Sequence, residues 1–370
     1  MCQSALHNLN EELTIAAVKY SFIKGQEMQD SRIGWVDSFK FLGIYAIYLG
    51  HFGHASGNAY DFVFRYHVAL FFFAAGFFVK GYKNESLVSF VINKAKAILI
   101  PYFIFCFITI LLISISESWK LHQLFDAIKI MFYGVRNDSY VGSLWFLNCI
   151  FVTLVIDSIF IRIVKNKWLV LFISALSLIY TQGFMDHNPR VNPLWFWNID
   201  SALSFWFFLS AGRCSFEFIN TSKMFNISSR LSYPFILITA IIALLYFYEG
   251  SGWLLNTARK FVNDKDKTSW FTFMLLYSTI GSLVLISFNI YIAKIISKIN
   301  FLKKIGSNTL SICGLENSIK LIIPKCLILF GLDVQLKNPL STYIYTFLCL
   351  TAAYYLSIYL KKHIGLLAKP

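Results

Sequence analysis

The sequence predicts an all-α, polytopic transmembrane helix bundle of about ten helices with both termini in the cytoplasm. Three observations carry that expectation. Of 370 residues, 57% are hydrophobic and only 14% charged, and mean hydropathy is +0.61, whereas a soluble domain has about a quarter of its residues charged. Second, 38 Phe and an aromatic content of 18% suit lipid-facing and interfacial positions. Third, Lys and Arg are distributed unequally between alternate loops.

In order along the chain, residues 1–31 are mixed polar with no continuous apolar stretch and read as a cytoplasmic extension without a signal peptide. Within it, residues 8–24 can form a short amphipathic helix or have no structural role. Residues 32–363 form the transmembrane domain and 364–370 a cytoplasmic tail. Apolar runs able to cross about 30 Å of hydrocarbon fall at 35–53, 66–80, 97–115, 144–162, 168–184, 199–217, 232–249, 270–293, 308–330 and 341–360. The second is short, and the ninth is interrupted by Lys320, Pro324 and Lys325. With the N-terminus inside, twenty Lys and Arg fall on the cytoplasmic side and ten opposite, a bias that places both termini in the cytoplasm. Two longer external segments, 116–143 and 250–270, are the natural places to meet an external substrate.

The net charge of +14 sits in short inter-helix loops and forms no continuous patch, which argues against nucleic acid. The seven Cys lack CxxC spacing and, apart from Cys2, lie in apolar stretches, so they read as small buried hydrophobes.

Titratable groups inside a membrane are expensive and mark functional candidates. In WVDSFKFLGIYAIYLGHFGH, Asp37 and Lys40 are spaced to pair at i, i+3. Lys40 and His51 are eleven residues apart, which returns to within about 20° of the same helix face and separates them by roughly 16 Å along the axis. His67 opens the second run in RYHVALFFFAAGFF, and hairpin topology returns it to the level of His51. One reading makes His51, His54 and His67 interfacial histidines bonded to backbone or water. A metal reading lacks a supporting Cys or HExxH motif, and no metal is expected. In the general-base reading, imidazole takes a proton from an attacking hydroxyl. An anionic acyl donor such as a coenzyme A thioester would be drawn to Lys40, Lys80, Lys83, Lys94 and Lys96, although positive-inside bias alone accounts for much of that cluster. Asp157 and Asp200 can orient a base or serve structure, and Trp195 and Trp197 look like interfacial anchors.

The succession WVDSFKFLGIYAIYLGH, YHVALFFFAAGFF, NKAKAILIPYFIF and SLWFLNCIFV resembles acyltransferase family 3, the membrane O-acyltransferases of surface glycans. The family's patterns are W-[IV]-D-x-x-[KR] and then His, F-H-M-P-L-F-F-F-x-S-G-F, basic residues before L-[IL]-x-P-Y, and L-W-F-L. All four are matched in order over residues 35–152, with Tyr66 in place of the Phe before His67, and weaker echoes follow in FWFFLSAGR and IGSNTLSICGLE. The resemblance implies about ten helices in a bacterial inner membrane and transfer of an acetyl group from acetyl-CoA to a sugar hydroxyl. The acceptor would be a surface polysaccharide or lipid-linked oligosaccharide, as in O-antigen or capsule modification. It makes His51, His67 and Asp37 catalytic candidates and Lys40 the basic donor contact. Ala97 stands where relatives often carry Arg, which leaves donor binding to Lys94 and Lys96 beside Lys40. Glu316 stands where many relatives carry His and becomes a catalytic candidate that pairs Lys320 at i+4. A transporter or flippase lined by the same polar groups is the alternative, and a non-catalytic scaffold a third.

Overall fold

A computed structural model of the chain describes residues 33–79, 85–137, 142–249, 253–261, 267–331, 336 and 338–368. The expected extension 1–31 and the cations Lys80 and Lys83 lie outside those residues. The described chain is 85% helical with no strand. Its helices are α1 Gly34–Gly50, α2 Ala59–Phe64, α3 His67–Gly76, α4 Leu87–Lys94, α5 Ile100–Ser116, α6 Leu121–Tyr133, α7 Trp145–Val164 and α8 Lys167–Gly183. They continue as α9 Ile199–Thr221, α10 Tyr233–Tyr248, α11 Trp253–Phe261, α12 Lys267–Ile296, α13 Asn300–Ser307, α14 Thr309–Leu329, α15 Pro339–His363 and α16 Gly365–Ala368.

Each of the ten apolar runs lies on a helix, and the remaining helices are short connectors. Among the described residues, five helical stretches are long and apolar enough to cross a membrane by length and composition: Leu87–Ser116, Gly142–Val164, Arg230–Tyr248, Lys267–Ile296 and Pro339–His363. Starts and stops follow local chemistry. The Asn166 side chain accepts from Trp168 N and Leu169 N to open α8, and Asn338 accepts from Ser341 N to open α15. Gly134 at φ 63° closes α6 in the left-handed conformation that suits glycine.

Two prolines shape helices without ending them. Pro101 has no N–H to return to Ala97, and the backbone widens into a π turn over Ala95–Leu99 that joins α4 to α5. The ninth apolar run, expected to be interrupted, is instead one helix through Pro324. Losing one donor costs less than unravelling several backbone groups in hydrocarbon.

The bundle is built around α1, which packs against α3, α12, α13 and α15, while α9 packs on α3, α7 and α8. Close backbone approach sets the α3–α9 spacing. A Cβ on Gly76 would lie 2.1 Å from Leu209 O, and one on Gly212 would lie 2.0 Å from Phe73 O, so only glycine permits the contact. Tyr48 Oη donates to Ile312 O at 2.7 Å and registers α1 against α14.

Polarity is inverted relative to a soluble protein. Leu237, Ile238, Ile241 and Leu244 on α10 and Phe172 and Leu176 on α8 face outward, whereas Asp157, Asp200 and Glu316 are fully buried. Arg213, within the apolar run 199–217, is also inside. Its guanidinium meets Asp157 at 2.5 Å, Trp206 Nε1 donates to the same carboxylate at 2.9 Å, and α7 is thereby tied to α9.

Candidate active site

Lys40, Ile44 and Ile47 line one cavity of about 240 Å³ together with Phe71 and Ala74 from α3, Phe78 just beyond it, and Thr309, Leu310 and Cys313 from α14. Its wall is otherwise apolar, with Lys40 contributing the charge. Lys40 Nζ also holds Asp37 Oδ1 at 2.7 Å, so the pair lies at the start of the helix. Asp37 therefore does not join the histidines: it stands fourteen residues before His51, roughly 21 Å along the axis.

His51 caps the other end of α1. Its Nδ1 lies 2.9 Å from Glu316 Oε1, and the same oxygen lies 2.9 Å from Lys320 Nζ. Lys320 Nζ also donates to His51 O at 3.4 Å. Glu316 is completely buried, while His51 and Lys320 keep 25% and 27% of their side chains accessible. A buried carboxylate thus stands behind a reachable imidazole. The Nδ1 side of the ring faces the carboxylate, which leaves Nε2 to accept a proton, as a general base requires. The Asn317 amide, with its nitrogen toward Glu316 Oε2 at 3.3 Å and its oxygen toward Gly142 N at 3.0 Å, steadies the second carboxylate oxygen.

His67 is held by a different acceptor. Its Nδ1 lies 2.7 Å from Val63 O, and because a carbonyl only accepts, Nδ1 carries the proton and Nε2 is the free nitrogen. His67 is buried and within electrostatic reach of His51 and Arg136. It lines a second, larger cavity of about 620 Å³. One turn on, Phe71 lines the smaller cavity, so α3 spans both. His54 is exposed and rests on the Tyr60 ring, centroids 4.9 Å apart.

The other predicted donor contacts are more distant. Lys94 ends α4 with its ammonium 5.6 Å from the Phe90 ring centroid, and Lys96 is exposed in the π turn. Neither lines the Lys40 cavity, which takes Ile98 from that turn. Asp200 binds a loop: its Oδ2 meets His187 Nε2 at 2.8 Å and accepts from Leu194 N at 2.8 Å. Trp195 is half exposed, and Trp197 Nε1 donates to Phe132 O at 2.8 Å.

Sequence reasoning did not find Arg65, Arg136 and Arg190, which it counted as external loop cations. All three line the larger cavity. A signal was present in the ten cations on the side that positive-inside bias should deplete, but which of them turn inward depends on tertiary packing. Arg136 is placed by Asn198, a left-handed residue whose Oδ1 accepts from Arg136 N at 2.9 Å and whose Nδ2 donates to Gly134 O at 2.8 Å.

A model of acyltransferase family 3, described as an acyltransferase domain, matches residues 33–358. No curated protein matches the chain. No solved structure matches it.

Proposed function

The chain belongs to acyltransferase family 3, and from that premise we propose that this multi-pass membrane acyltransferase moves an acetyl group from acetyl-CoA to a sugar hydroxyl of a surface polysaccharide or its lipid-linked precursor. In this reading the protein sits in a bacterial inner membrane with both termini in the cytoplasm. The observation that carries it is the contact between His51 Nδ1 and buried Glu316 at the end of the helix face that begins at Lys40.

The donor enters on the Lys40 side, where the apolar cavity accepts its arm and acyl group and Lys40 attracts its anionic part. Lys94 and Lys96 lie along the approach. The acceptor occupies the larger cavity. His51 Nε2 takes the hydroxyl proton as the oxygen attacks the thioester carbonyl. Collapse of the tetrahedral adduct breaks the C–S bond, and the proton on His51 passes to the departing thiolate. Glu316 orients the ring and stabilises the imidazolium formed in the transition state. His67, with its own free Nε2 in the acceptor cavity, positions the hydroxyl.

The test is acceptor-dependent release of CoA by the purified protein in lipid nanodiscs, with the product glycan analysed by mass before and after mild alkaline de-esterification. His51→Ala should insert normally and lose at least a hundredfold in rate. Wild-type acetylation by His51→Ala would overturn the mechanism. Sugar flux across proteoliposomes without thioester consumption would favour a flippase.

A further inference from the structure

The larger cavity holds three arginines, and no carboxylate lines it among the described residues. Arg190 is the most informative. Its Nε donates to Ser204 Oγ at 2.9 Å, its guanidinium carbon lies 5.2 Å from the Phe208 ring centroid, and its Nη2 is buried with no hydrogen-bond partner. Among the described residues every contact of this guanidinium is neutral, and no anion meets its charge. Arg136 is similar: Nη1 donates to Arg190 O at 2.7 Å and the guanidinium lies over Trp145. Among the described residues only Arg65 of the three has an anion. Its Nη2 is 3.6 Å from Glu249, which also accepts from Tyr277 Oη, while Arg65 Nε is buried without a partner.

A buried cation lacking an anion is costly, and proteins keep such groups where a ligand supplies the missing charge. Guanidinium is moreover the side chain whose planar fork matches the two oxygens of a phosphate or carboxylate. We infer that the larger cavity is an oxyanion-binding site in which Arg190, with Arg136 and Arg65, holds a negatively charged group of the acceptor. The acceptor is thus an anionic glycan, charged either through an acidic sugar or through the diphosphate of a lipid carrier. Its identification as the acceptor rests on the acetyl-transfer reading; anion binding by the cavity does not. Because His67 opens into the same space, holding the anion there fixes which hydroxyl meets the base.

Equilibrium binding separates the two sources. The full chain in nanodiscs is titrated, without acyl donor, with four radiolabelled probes: a neutral hexose oligosaccharide, the same oligosaccharide with one hexuronate, its farnesyl glycoside, and its farnesyl diphosphate conjugate. At least one charged probe should bind about tenfold tighter than its neutral counterpart, and that advantage should fall below about threefold in Arg190→Gln. A win for the hexuronate assigns an acidic sugar; a win for the diphosphate assigns a lipid carrier. Raising salt from about 0.05 to about 0.5 M should weaken only the charged probe in the wild-type protein, a readout independent of whether the variant folds. Equal binding of charged and neutral probes, or an advantage insensitive to salt and to Arg190→Gln and Arg65→Gln, overturns the inference. Acetyl transfer to a neutral oligosaccharide without any charge preference would sink this inference alone and leave the acyl-transfer reading standing.

Discussion

Replacing Glu316 by Gln removes the charge behind His51 and nearly preserves shape. At 2.9 Å, the attraction between imidazolium and carboxylate is about 5–6 kcal/mol at an effective dielectric of about 20. Lys320 shares the same oxygen at 2.9 Å and offsets part of that for a proton arriving on His51, so roughly half remains. A loss of about 3 kcal/mol of transition-state stabilisation lowers kcat about a hundredfold. Because the neutral amide of Glu316→Gln would also leave the Lys320 ammonium without an anion, stability should fall by about 1–3 kcal/mol. The two effects are separable. Adding Lys320→Met to Glu316→Gln removes the stranded cation and should restore the melting temperature without restoring the rate. CoA release and thermal unfolding in nanodiscs report the two quantities. A single variant that keeps more than half its kcat, or a double variant that regains both stability and rate, would show that Glu316 only holds the helices together.

Lys40→Met should raise the KM for the acyl donor about tenfold with kcat little changed, the signature of a contact made equally in ground and transition states; steady-state kinetics with varied donor check this. Asp157→Asn strands Arg213, whose side chain is 8% exposed, and should cost about 3 kcal/mol or more, seen as a lower unfolding midpoint. Gly212→Val should abolish folded protein, since the first added carbon already meets Phe73 O at 2.0 Å and a backbone oxygen has nowhere to retreat. Size-exclusion behaviour of the detergent-extracted protein reads that result, and a monodisperse variant would contradict the α3–α9 geometry.

What was legible in the sequence was local or periodic. Hydrophobic runs located helices because hydrocarbon admits few alternatives, and the i, i+3 spacing paired Asp37 with Lys40 because the helix repeat brings them together. Asp37 shows the limit. The resemblance grouped it with the histidines, whereas the i, i+3 pair with Lys40 that the spacing gave holds it at the far end of α1. Glu316 was singled out by position within a resembled motif, yet its contact with a histidine at the end of the first helix could not be read from either segment. The arginine cavity was least legible. It gathers residues from the α2–α3 junction and from two loops, and no spacing rule connects them.

The two cavities also bear on what can pass between them. Phe146 lines the smaller cavity and Phe205 the larger. Phe72 stacks on Phe205 with centroids 4.8 Å apart and meets Phe146 edge-on at 5.4 Å. A chain of ring contacts therefore runs from one lining to the other, beside an α3–α9 contact at backbone distance. Moving a whole sugar through it would require breaking that stack and separating helices whose glycines already touch. The proposed transfer of an acetyl group requires only that a thioester carbonyl come within bonding distance of a hydroxyl, near His51 at the end of α1 and His67 at the start of α3. In the proposed reaction Lys40 and the arginines have distinct tasks: each would hold the charged part of a different substrate, so that two carbons are transferred while both anions stay where they are bound.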